Sequence, residues 1–159
     1  MYPFHKTIAT FECEVITKKF HLVGQSITTN YPGGFPDAAI KVQTEFESRR
    51  DEIKNVVNKE ILYSPHMCNE IFATYFACLE VEEIEDVPEG MTGFTLPATK
   101  YAKISCSNNT IDEGYTKIFA WMDEKEYVQK WFHYSCPIEI YYLDENVDEE
   151  VAEILIPLE

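Results

Sequence analysis

No dense run of lysine or arginine occurs anywhere in the 159 residues: 13 basic side chains stand against 28 acidic ones, for a formal net charge of −15. Phosphate recognition needs cationic groups that displace counterions, so direct nucleic-acid contact and adsorption to anionic lipid are disfavoured. A cationic small molecule or a basic protein is attracted instead, although an acidic surface also serves solubility alone. The five cysteines (Cys13, Cys68, Cys78, Cys106, Cys136) are odd in number and include no CxxC pair. They suit reduced thiols in a cytoplasmic protein better than a disulfide framework or a zinc site. The opening MYPFHKTIATFECE has no apolar core behind a basic start. No run approaches the roughly 18 apolar residues of a membrane span. No linker or low-complexity stretch divides the chain, so a single domain over 1–159 is expected, its first half about 9–96 and its second about 98–158.

What is present is aromatic and apolar: 10 Phe, 10 Tyr and 2 Trp within a 45% hydrophobic composition. Such a chain can offset its conformational entropy by burial, which excludes a disordered protein. Residues 9–28 are rich in β-branched and aromatic side chains and run into the turn-like NYPGGFPD, which predicts one or two strands and a loop. From Pro36 the spacing of Val42, Phe46, Ile53, Val56 and Val57 predicts an amphipathic helix of roughly 37–57. A connection containing YSPHMCN follows, then a long strand over 71–85. Pro88-Glu89-Gly90 breaks the chain, a short strand is expected near 93–96, and another over 100–106. Thr110 and Glu113 have capping-box spacing ahead of a stripe of Ile111, Tyr115, Ile118, Phe119 and Met122, which predicts a second helix. Two strands, 138–143 and 153–158, close the pattern around the acidic DENVDEE. The order implies an α+β domain of duplicated βαββ units, with a mostly antiparallel sheet, two helices and a ligand cleft where the halves meet.

Four short motifs in this order carry a resemblance. Pro88 to Met91, then Pro97 with Tyr101 and Ala102, then Glu139 in CPIEIYYLD, then Ile156-Pro157 resemble the GyrI-like small-molecule-binding domain. This is the effector-binding domain of multidrug-sensing bacterial transcription regulators. The likeness covers residues 70–158 through these motifs and residues 18–57 by element order. It implies a duplicated βαββ fold in a stand-alone version, since fewer than 20 residues precede the module where the regulators carry a DNA-binding helix-turn-helix. Family members include drug sensors, a gyrase inhibitor and hydrolases that open strained cyclopropane rings.

The resemblance implies that Glu139 lies at the bottom of an aromatic-walled pocket and meets a ligand's positive charge. A carboxylate in apolar surroundings costs several kcal/mol unless it is paired, so it protonates or attracts a cation. Tyr141, two residues on, shares the strand face of Glu139. Tyr115 matches a pocket aromatic of the sensors by position, and Phe119 follows one helical turn later. Tyr75, beside Ala73 and Ala77, and Trp121 are further candidates for the ligand wall. Each has a plainer reading: Glu139 on a solvated strand face, the aromatic residues as core, and Trp121 as cover for the core edge. His133 and Cys136 have H-x-x-C spacing, but two ligands without partners make a poor metal site. His5, His21 and His66 show no pattern with acids or thiols, and Arg49 and Arg50 read as a solvated helix face.

The expected function is binding of an amphipathic, cationic or aromatic small molecule. The alternatives are a hydrolase of electrophilic cyclopropane-type compounds using Glu139, and an acidic protein-interaction module such as a gyrase inhibitor that docks a protein partner through EVEEIED and DENVDEE. No cofactor and no metal are implied.

Overall fold

The computed structural model describes residues 11–131 and 134–159. His133, weighed above with Cys136 as a metal-ligand pair, and His5 lie outside the described residues. The elements run β1 (Cys13–Asn30), α1 (Asp37–Glu47), a 3-10 turn (Arg50–Glu52), β2 (Ile61–Cys68), β3 (Phe72–Glu80), β4 (Thr92–Ser107), α2 (Ile111–Glu124), β5 (Ile138–Tyr142) and β6 (Val151–Pro157). The order is strand, helix, strand, strand, twice over. The fold is α+β, built of two βαββ units, and the ladders β1/β3, β2/β3, β4/β6 and β5/β6 are all antiparallel.

The chain forms two compact units, one of Phe20–Leu96 and one of 97–159 together with the segment up to Lys19. In the Phe20–Leu96 unit, β3 is paired on both edges, Gln25 with Ala77 on one side and Tyr75 with His66 on the other. Helix α1 buries Ala38, Val42 and Phe46, a stripe of four-residue spacing that packs on β3. Gly24 permits the closest approach here. A Cβ at that position would stand 1.9 Å from the backbone oxygen of Ala77, on the neighbouring strand.

In the other unit, β6 is paired on both edges, Ile154 with Glu139 of β5 and with Ile104 of β4. Helix α2 buries Gly114, Ile118 and Met122 against a core of Ala102, Ile104, Cys106, Ala152, Ile154, Ile156 and Leu158. Gly114 matters because a Cβ there would lie 3.0 Å from Ile154 Cδ1 and 3.1 Å from Cys106 Sγ. The bare α-carbon lets the first turn of α2 settle onto β4 and β6, and the next residue is Tyr115.

Several sequence expectations shift. The first helix ends at Glu47, ten residues short of 57. Ile53 is buried in an extended conformation instead, and Val56 bridges to Val81, so the apolar spacing that suggested helix serves strand-like packing. The YSPHMCN connection is most of β2, and the long strand after it is trimmed to Phe72–Glu80. The two strands expected near 93–96 and 100–106 are one 16-residue strand, β4, running through Pro97. The Thr110 capping box does not form: its hydroxyl makes no cap bond to the helix and accepts the Ser107 N–H at 2.9 Å instead.

Candidate functional site

Register decides which side chains share a face of the sheet, because residues directly opposite in an antiparallel pair point the same way. Glu139 pairs with Ile154 and Tyr141 with Ala152, and across β6 these face Ile104 and Cys106 of β4. That is the face on which α2 packs. Glu139 is 8% exposed, so the half-solvated strand reading does not hold. Its two carboxylate oxygens are each met by a phenol. The Tyr115 hydroxyl donates to Oε2 at 2.6 Å, and the Tyr141 hydroxyl donates to Oε1 at 2.7 Å. Both distances are in the short range expected when the acceptor is charged.

From this carboxylate an aromatic path leads outward. The Tyr115 and Phe119 rings stack at 6.4 Å with an interplanar angle of 21°, and Phe119 is 42% exposed. Phe119 had been assigned to the apolar stripe of its helix. Its exposure places it outside the core, on the helix flank beside the stripe of Gly114, Ile118 and Met122. The structure thus brings together four of the six residues singled out from the sequence: Glu139, Tyr115, Tyr141 and Phe119.

Residues 15–158 match the protein family Cass2, described as integron-associated effector binding protein. The chain belongs to this family. No significant match occurs among curated proteins. Among solved structures, the EcmrR C-terminal domain superposes with a TM-score of 0.69 at 11% identity, covering 95% of this chain and 99% of that one. The integron cassette protein VCH_CASS2 from the mobile metagenome of Vibrio cholerae gives 0.66 at 11%, covering 94% and 97%. SAV2435, solved bound to tetraphenylphosphonium, gives 0.64 at 12%, covering 95% and 94%. At these identities the likeness is one of fold.

The two remaining candidates of this Cass2-family chain have other neighbours. Trp121 lies on α2 but packs on the core edge, its ring tilted against Tyr127 at 5.5 Å. Tyr75 belongs to the other unit, where it is buried, accepts a hydrogen bond from Gln43 at 3.2 Å, stacks on His66 at 5.9 Å and meets Phe35 at 6.1 Å. His66, patternless in the sequence, gains its role from being opposite Tyr75 in the β2/β3 register.

Sequence reasoning missed a second buried carboxylate in the Cass2 fold. Glu153 pairs with Ile140 and Ser105, so it points to the sheet face opposite Glu139, and it is 3% exposed. The Tyr142 hydroxyl donates to it at 2.7 Å, and Lys103 bridges it and Glu14 at 3.3 and 3.4 Å. Burial, with the Glu153 charge and hydrogen bond added, pushes the Tyr142 phenol well above its ordinary range. The signal was available: Glu153 interrupts VAEILIP just as Glu139 interrupts PIEIYYL. Cys106 shares the face of Glu139. Burial first, then the charges of Glu139 and Glu153, push its thiol up to about 12, so it is a core thiol and not a nucleophile. Among the described residues no cluster of three or more His, Cys, Asp or Glu side chains could hold a metal, and no helix is long and apolar enough to cross a membrane.

Proposed function

We propose that this chain binds an amphipathic small molecule bearing a delocalised or aromatic cation, with Glu139 as the charge that receives it. The observation that carries the reading is the buried Glu139 carboxylate held between the Tyr115 and Tyr141 hydroxyls beside an exposed, stacked Phe119. The phenols fix the carboxylate with hydrogen bonds but bring no positive charge. A ligand cation therefore adds a Coulomb term of its own, strengthened by the low dielectric of the site. Tyr115, Tyr141 and Phe119 supply the pocket wall, each favourable cation–π contact adding about 0.5–2 kcal/mol. Membership in an effector-binding family supports the reading, as does the shared fold with SAV2435, which was solved with a lipophilic cation.

Hydrolysis is the second reading, because a hydrolase from Listeria innocua shares the fold at a TM-score of 0.56 and 8% identity. A general base must be free to take a proton from water. Here both Glu139 oxygens already accept phenol protons, an arrangement that suits a fixed charge better than a base. A fluorescence screen of cationic dyes against the wild type and Glu139→Gln tests the main reading. At least one dye is expected to bind the wild type and to lose about tenfold or more in affinity to the variant, about 1.4 kcal/mol. Equal binding of every dye to both proteins contradicts it.

A further inference from the structure

The Phe20–Leu96 unit contains two buried polar atoms that its own packing leaves without a hydrogen bond. Among the described residues, Ser64 Oγ and Gln25 Oε1 are both shielded from solvent and have no partner, and Ser64 is 0% exposed. Native interiors satisfy nearly all such atoms, with protein groups or with a bound molecule such as water, so each exception calls for a partner.

The two atoms are not scattered. Gln25 of β1 pairs directly with Ala77 of β3. The β2/β3 register, fixed by Tyr63 with Cys78 and His66 with Tyr75, puts Ser64 opposite Ala77 on the other side. The three side chains form one row on one face, with the smallest in the middle. Two strand spacings separate the outer members, about 10 Å at the backbone. One step along the same face stand Tyr75 and His66, their rings stacked at 22°, with Phe35 against Tyr75. Helix α1 covers this face, since its Gln43 donates to the Tyr75 hydroxyl.

We infer that this row is a binding subsite for a neutral amide- or lactam-type group carried on an aromatic ring. The chemistry of the row selects that class. The Gln25 carbonyl oxygen accepts an N–H, and the Ser64 hydroxyl donates to a C=O, so one planar amide satisfies both. The row itself carries no charged side chain, and an ion placed there would meet desolvation without a counter-charge from it. The Tyr75 and His66 rings offer a wall for the aryl part, and Ala77 is the smallest side chain of the row. The site is separate in sequence and chemistry from Glu139, and it does not depend on that carboxylate.

Benzamide, with methyl benzoate and toluene as analogues lacking the N–H donor and both polar groups, tests this on the full chain by NMR titration. Benzamide is expected to give saturable shifts at Ser64, Ala77 and their strand neighbours, and to bind more tightly than either analogue. Ser64→Ala and, independently, Gln25→Met are each expected to weaken it about threefold to tenfold, the range for one neutral hydrogen bond. Absence of saturable shifts at these strands, equal binding of methyl benzoate, or unchanged affinity in both Ser64→Ala and Gln25→Met overturns the subsite.

Discussion

Glu139 and Glu153 show how two carboxylates on neighbouring strands come to different ends. They differ by one step of parity across the β5/β6 register, so one faces α2 and two tyrosines, and the other faces Lys103 and Tyr142. Glu153 meets the Lys103 ammonium, whereas Glu139 accepts from two phenols beside the exposed Phe119, which is why the binding proposal rests on Glu139. Glu139 and Tyr115 were singled out through the resemblance to the GyrI-like domain, and alternation added only that Tyr141 shares the strand face of Glu139. Glu153 interrupts strand β6 much as Glu139 interrupts β5, but no resemblance drew attention to it, and only the register with β4 reveals Lys103 beside it. Two buried groups of β4, on opposite faces of the sheet, also set an alkaline limit. Cys106 is pushed up to about 12 by burial and the two nearby carboxylates, and Tyr101 to about 12 chiefly by burial. Both have folded values above their unfolded ones, so the unfolded chain releases these protons first. Their stabilising contribution is complete below about pH 9 and is lost as pH rises toward 12. Denaturation midpoints are expected to fall over that window, and less steeply in Cys106→Ala. In the native state at pH 8, Cys106 is expected to resist iodoacetamide while the exposed Cys68 reacts, as peptide mass mapping would show.

At the scale of elements, the second half of the chain was easier to read than the first, and the reasons are local. Helix α2 has a stripe unbroken by competing signals. Helix α1 is followed by Ile53, Val56 and Val57, whose spacing fits a helix although Val56 is in fact bridged to Val81. Strand β2 was hidden by Pro65, since proline has no amide to give to a ladder and normally argues against a paired strand. Pro97 hid the continuity of β4 in the same way. Gly24 and Gly114 were invisible as contacts, because what they permit is the approach of a neighbour that only the folded chain supplies. Gly24→Ala would force a methyl into the Ala77 carbonyl on β3, where backbone and not a flexible tip must yield. A loss of about 1–3 kcal/mol in urea denaturation is expected. An unchanged midpoint would mean that the β1/β3 pairing is looser than its register indicates.

For the molecule as a whole, the excess of acid over base is the dominant long-range term. A net charge of −15 on a chain of this size repels itself in the folded state, and added salt screens that repulsion with a Debye length that falls to about 3 Å at 1 M. The melting temperature is therefore expected to rise between about 10 mM and 500 mM sodium chloride, and a fall would show that specific ion pairs such as Lys54 with Asp86 outweigh the net field. The same field draws cations toward the protein, so it helps any cationic ligand without choosing among them. In the proposed reading, choice comes from the Glu139 site. The duplicated βαββ order and the family were both legible at this scale, because element order and a few spaced motifs survive where identity to the solved structures has fallen to 11–12%. The ligand was not, since its shape depends on side-chain placement that spacing alone does not give. Isothermal calorimetry of tetraphenylphosphonium and of its neutral relative triphenylphosphine oxide, on the wild type and Glu139→Gln, separates charge from shape. The wild type is expected to prefer the cation by about tenfold or more, and the variant to bind both compounds alike. A preference for the cation that survives in Glu139→Gln would contradict the assignment of Glu139 as the residue that receives it.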